Sequence, residues 1–159
     1  MSMKRIFYVA VMCALVFSAS SNQTESPPNG SSSYPDGPIA FNEVLTGGLP
    51  WSYPSDPVPD LDYWEFSGIN GQSYKFTGVP KNTLVNSLYL GLDIENSVGA
   101  IQASAFASTP NQTVVLNWTC TSSGTFYLVV YEATAYQNGT AYYEITCEVF
   151  SGVDDWTLY

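Results

Sequence analysis

Carboxylates, tyrosines and thiols are the residues of this sequence whose types and spacing could do chemistry. Asp60 and Asp62 stand two positions apart with Asp56 just upstream, and Asp93, Glu95 and Asn96 form a second group. Oxygen-rich clusters of this kind suit calcium, and a pair of carboxylates is also the minimum for cleaving a glycoside. The simpler reading is that acids at strand ends stay solvated, cap turns and keep sheet edges from pairing. Asp60 and Asp62 are therefore the calcium candidates, with no other cofactor expected. The sequence contains no histidine, which removes the commonest general base and a principal zinc ligand. It also has no Gly-x-Ser-x-Gly, so a serine nucleophile would have no partner to activate it. Chemistry by catalysis is not expected; binding is.

Charge narrows the partners. Asp and Glu number 14 against 4 Lys and Arg. Lys4 and Arg5 precede an apolar run, so the remainder carries only Lys75 and Lys81. A surface this poor in cations does not recognise phosphate backbones, which excludes nucleic acid. Met1 to Arg5, the apolar Ile6 to Phe17 and the small residues Ser18 to Ser21 have the layout of an export signal, residues 1–20. The run is shorter than the roughly 20 residues a membrane helix needs, so cleavage rather than anchoring is expected and the mature chain has no membrane span. Cys13 would leave with the signal. The protein is expected to be secreted or held at the cell surface.

Export bears on the remaining thiols. Cys120 and Cys147 are an even pair in an oxidising compartment, which predicts a disulfide. Sequons begin at Asn22, Asn29, Asn111, Asn117 and Asn138, the glycosylation candidates where the producing organism has the machinery.

The elements that must position these residues are strands. Residues 21–38 are Ser, Asn, Pro and Gly with little to bury, and read as a flexible linker. Residues 39–159 form the folded unit. Runs rich in Val, Ile, Tyr, Phe, Trp and Thr cover 62–67, 73–77, 87–95, 101–107, 113–121, 125–133 and 141–150, separated by Gly, Asn, Pro and Ser turns. Phe41, Val44 and Leu45 suit an initial strand. Many short strands and no helical period predict an all-β, antiparallel, jelly-roll-like β-sandwich.

Alternation assigns faces. Leu88, Leu90, Leu92 and Ile94 point inward, as do Leu116, Trp118 and Cys120, then Phe126, Leu128 and Val130, then Tyr143, Ile145, Cys147 and Val149. Asn117 points out, as a glycan requires. Tyr127, Val129, Tyr131, Tyr142 and Glu144 also point out. A hairpin closing around Tyr136-Gln137-Asn138-Gly139 would set Tyr131 opposite Tyr142, with Tyr127 nearby, making these three tyrosines the candidate binding surface. The same register would bring Cys147 opposite Phe126, close to Cys120.

Five blocks occur in order: Asp60-Leu-Asp62-Tyr-Trp64-Glu-Phe66, Gly71-Gln-Ser-Tyr74-Lys-Phe76, Ser87-Leu-Tyr-Leu-Gly-Leu-Asp-Ile94, Gly124-Thr-Phe-Tyr-Leu-Val-Val130 and Gly139-Thr-Ala-Tyr-Tyr-Glu-Ile145. Together, over roughly residues 40 to 150, they resemble the bacterial and archaeal pre-peptidase C-terminal domain. The resemblance implies a small jelly-roll-like sandwich of the kind appended to exported enzymes, acting by binding or by assisting secretion. It further implies that relatives in bacterial collagenases bind calcium and a fibrous substrate. Two departures stand out: the sequence carries no peptidase block, and the Leu88 strand lacks the early Asp of many members. The expected function is a non-catalytic binding or adhesion module for an extracellular protein or glycan. The alternative is a structural subunit that self-associates into a filament or envelope layer, with Ile39 to Leu45 as a donor strand.

Overall fold

A computed structural model describes residues 23–24, 36–49, 60–81, 87–133 and 141–150. Ten strands are assigned among them: β1 Gln23–Thr24, β2 Gly37–Pro38, β3 Val44–Leu49, β4 Leu61–Gly68, β5 Ser73–Lys81, β6 Leu90–Asn96, β7 Ile101–Phe106, β8 Val114–Thr119, β9 Gly124–Glu132 and β10 Ala141–Phe150. They form two five-stranded sheets, β1-β3-β10-β5-β8 and β2-β4-β9-β6-β7. Pairing is antiparallel except where the short β1 and β2 lie parallel to β3 and β4. The result is the all-β sandwich expected from the alternation. Gln23–Thr24 and Gly37–Pro38 fall in the stretch read as a flexible linker, yet each covers an outer edge of a sheet. The stretch read as an export signal, residues 1–20, lies outside the described residues.

The inward sets meet between the sheets. Leu88, Leu90, Leu92, Ile94, Leu116, Phe126, Leu128, Val130, Ile145 and Cys147 are all buried in one core. At one end the core is aromatic: Phe41 packs edge-on to Phe66, and the Trp118 and Phe126 rings are 4.8 Å apart in a T-shaped pair. Phe41 does this from a turn, not from the strand expected to include it. Val149 was also expected inside and is 40% exposed. Its strand has by then run past β3, whose pairing stops at Val44 opposite Thr146, and past the last bond on that side, from Asn42 N to Cys147 O, so among the described residues no strand flanks it there.

The other end of the interior holds a polar relay. Trp64 Nε1 donates to the Tyr143 hydroxyl at 3.0 Å, and that hydroxyl donates to Asp62 Oδ2. Trp64 and Asp62 come from β4, Tyr143 from β10 in the opposite sheet, and all three are almost fully buried. Gly47 makes room for it: a Cβ there would overlap the Tyr143 phenol. Pro80 is tolerated inside β5 for a related reason. The bond from Cys120 N to Gln72 O sets the parity of the β5–β8 ladder, so even-numbered residues of β5 face β8. That pairing stops at Gly78, and the missing N–H of Pro80 leaves no acceptor bare on β8.

Two expectations fail together. β9 pairs on its two sides with β4 and β6, and β10 with β3 and β5, so there is no β9–β10 hairpin. β9 ends in the second sheet and β10 begins in the first. Tyr142 accordingly lies opposite Gly48 and Lys81, not opposite Tyr131. The predicted Cys120–Cys147 disulfide is absent as well: both thiols are free and buried. Cys147 faces Phe76, which faces Leu116 on β8, and Cys120 lies four residues farther along that chain. Two strand spacings across and four residues along separate the cysteines by on the order of 15 Å. A disulfide requires Cα atoms within about 7 Å. Cys120 Sγ instead donates to Ser122 O at 2.9 Å, and burial pushes the Cys147 thiol well above its ordinary range.

Two outcomes follow. Alkylation in denaturant without prior reduction should label the peptides carrying Cys120 and Cys147 fully, while folded protein should leave Cys147 unlabelled; mass mapping reads both. Replacing Tyr143 with Phe removes the hydroxyl that a buried indole N–H and a buried carboxylate share, which should cost at least about 2 kcal/mol in chemical denaturation.

Candidate functional site

The two outer faces of the sandwich differ in charge. Lys75 and Lys81 both project from the outer face of the first sheet. Each is paired with a β10 glutamate, Lys75 with Glu148 at 3.4 Å and Lys81 with Glu144 at 2.7 Å. Tyr142 is exposed on that same face.

The outer face of the second sheet is laid out in three rows by the strand registers. Leu61, Tyr131, Gly91 and Phe106 form the first; Tyr63, Val129, Asp93 and Ser104 the second; Pro38, Glu65, Tyr127, Glu95 and Ile101 the third. Three tyrosines and three carboxylates thus share the face, alternating in the row of Glu65, Tyr127 and Glu95, with no cation among the described residues. Tyr63 and Tyr127 meet edge-on with centroids 6.2 Å apart. The Tyr131 hydroxyl donates to Asp93 Oδ1 at 3.3 Å. Gly91 permits this, because any Cβ there would enter the Tyr131 ring. Outward direction does not mean full exposure here: Tyr127 is 7% exposed and Val129 2%. β9 is the middle strand of the sheet, and its outer side chains are flanked on both sides by those of β4 and β6.

The three tyrosines expected to form one surface are therefore divided. Tyr127 and Tyr131 share the acidic face, Tyr142 lies on the opposite one, and Tyr63 takes the place assigned to it. The sequence held a signal for this. Phe126 to Tyr131 is an unbroken apolar and aromatic run, which marks a strand covered on both faces rather than half-solvated. The calcium candidates are both buried, and Asp62 Oδ2 accepts from Tyr143 in the interior. Calcium takes about six to eight oxygens. Among the described residues no three His, Cys, Asp or Glu side chains converge, and Asp56, the third acid of that group, lies outside them. Asn117 is exposed on β8 and open to modification, whereas Asn111 uses Oδ1 to accept from Leu88 N at 2.9 Å. Asn22, Asn29 and Asn138 lie outside the described residues. No helix among the described residues is long and apolar enough to cross a membrane.

Partial burial, and then the crowding of like charge, leave their mark on the acidic face. Burial and then the neighbouring Asp93 hold the Glu95 carboxyl above its ordinary range. The Tyr131 phenol is raised by burial and then by the charge and hydrogen bond of Asp93. Tyr63 is raised by burial, Glu95 and Asp93 in that order. For Glu95 the folded state binds its proton more tightly than the unfolded one. Its contribution to stability is therefore present at acid pH and lost as pH rises through the folded value. Glu95→Gln should accordingly melt higher than the parent near neutral pH. The difference should vanish below the carboxylate range, and thermal unfolding at several pH values reads it.

Comparison with known proteins bears on the fold. No family model matches the chain, and no curated protein does. Among solved structures, the chain is similar to the pre-peptidase C-terminal domain of collagenase from Bacillus anthracis, with a TM-score of 0.50 and 14% identity over 77% of this chain and 99% of that one. At that identity the likeness is one of fold, and it places this chain's sandwich beside a pre-peptidase C-terminal domain.

Proposed function

We propose that the chain works outside the cytoplasm as a non-catalytic binding module, and that the outer face of β4, β9 and β6 is its recognition surface. The observation that carries the reading is the grouping of Tyr63 and Tyr131 with Glu65, Asp93 and Glu95 around the largely buried Tyr127, on a face without a cation among the described residues. The fold shared with a pre-peptidase C-terminal domain, and the export signal read from residues 1–20, supply its context. Of the partners expected, an extracellular protein or a glycan, the charge favours a protein presenting a basic, extended segment. Arginine or lysine stems would lie along the tyrosine rings and their heads would reach Asp93 and Glu95. The filament alternative loses its expected donor strand, because Ile39 and Leu45 are core residues and β3 is hydrogen-bonded to β10.

Titration calorimetry with an arginine-rich peptide and with a neutral oligosaccharide tests this. Peptide binding is expected to weaken with added salt, and to fall at least about tenfold, or 1.4 kcal/mol, in Asp93→Asn/Glu95→Gln and in Tyr131→Ser. Tyr142→Ser, on the other face, should bind like the parent. Salt-insensitive binding of the oligosaccharide alone would sink the basic-partner reading, and binding weakened only by Tyr142→Ser would move the site to the first sheet.

A further inference from the structure

Between Glu95 and Glu132 the sequence has no charged residue at all, although the chain carries 14 acids. That stretch builds β7 and β8, which are the terminal strands of the two sheets at one flank of the sandwich. At the opposite flank each sheet ends in one of the added parallel strands, β1 or β2. On β7 the edge is open: among the described residues no strand lies beyond it. The bond from Ala107 N to Leu90 O at 2.9 Å sets the parity of the β6–β7 ladder. Ala103 and Ala105 turn their backbone groups toward β6, and Gln102, Ser104 and Phe106 turn theirs outward. Beside this row of outward backbone groups, Phe106 is 67% exposed and Ile101 58%.

Edges of this kind are ordinarily guarded by lysine, proline, inward charge or a bulge. β7 has no charge and no proline, and the irregularity opposite Ile94 and Glu95 affects only its Ile101 end. We infer that β7 is the contact between two copies of this chain, paired antiparallel about a two-fold axis at Ser104 so that the second sheet continues across the dimer. In that register Ser104 faces its own counterpart, and Gln102 faces Phe106 of the second copy. No charge opposes another. Asp93 and Glu95 sit one strand in, so their counterparts lie about 14 Å away across three strand spacings. That exceeds the screening length of about 8 Å at physiological salt. Either broad face would fare worse as a self-contact: the acidic one would oppose its own carboxylates, and the lysines of the other are already neutralised by Glu144 and Glu148. The neutral edge is where an acidic molecule can meet itself, and the two-fold closes the assembly at two chains.

Sedimentation velocity of the full chain across a concentration series tests the inference. The parent should pass from monomer to dimer with rising concentration. Ser104→Pro removes an N–H that points away from β6, so it breaks no ladder bond within the chain, and it should raise the dissociation constant at least about tenfold. Asn117→Pro does the same to the β8 edge and should leave the dimer intact. Circular dichroism checks that each variant folds; if Ser104→Pro does not, Ser104→Lys sets two like charges face to face and gives the same readout. A monomer at every concentration, a dimer indifferent to changes at Ser104, a dimer lost on Asn117→Pro, or growth beyond two chains would each overturn it. Asp93→Asn/Glu95→Gln should not affect the dimer, which separates failure here from failure of the recognition face.

Discussion

The Tyr143 hydroxyl, accepting from Trp64 and donating to Asp62, is the contact on which the arrangement of the two sheets depends. An apolar sandwich core is indifferent to small slides of one sheet over the other, because dispersion and hydrophobic burial have little directional preference. A buried hydroxyl between an indole and a carboxylate has one good position, and leaving any of the three unpaired would be expensive. By joining β10 to β4, the relay sets how the sheets face each other, and with it which side chains of β4 stand beside those of β9 on the outside. Gly47 belongs to the same device, since the phenol occupies the space its side chain would need.

From that alignment three surfaces of different character follow. The outer face of the first sheet is electrically balanced by its Lys–Glu pairs, which lie on adjacent strands and are solvent-exposed enough to contribute little to stability. The outer face of the second sheet concentrates uncompensated carboxylates among tyrosines, and the raised ranges of Glu95, Tyr63 and Tyr131 record first their partial burial and then the neighbouring negative charge. The flank built from β7 and β8 has no charge. A face that keeps like charges close together without a cation works against stability. That cost makes it the natural place to look for recognition, because a basic partner would relieve it.

Much of the interior was legible from alternation alone. Leu88 to Ile94, Leu116 to Cys120 and Tyr143 to Cys147 all point where their parity says. What parity cannot tell is which sheet a strand joins, and the failed expectations share that origin. Asn138-Gly139 has the chemistry of a tight hairpin turn, but β9 and β10 each have both sides already taken by other strands. Once they part into different sheets, Tyr142 leaves the other tyrosines and Cys147 leaves Cys120. The short strands β1 and β2 had no local signal to find: Gly37-Pro38 is a strand only because the edge of β4 lies beside it. Asp62 read as a surface acid because carboxylates seldom lie inside, and its partner in the relay is 81 residues away.

The likeness in fold at 14% identity also becomes intelligible in these terms. A sandwich of this kind needs inward apolar residues at alternate positions and a few special sites, and many sequences meet that demand. Outer-face residues are far freer, so they are where related folds diverge in function. Here one core requirement reaches the surface. Gly91 lies on the strand next to Tyr131, and its missing side chain lets the ring lie across β6 and reach Asp93. A larger residue at that position would leave β6 paired on both sides but would lift the ring away from the carboxylate. The outer face would then lose its link between aromatic and acid while the core stayed as it is.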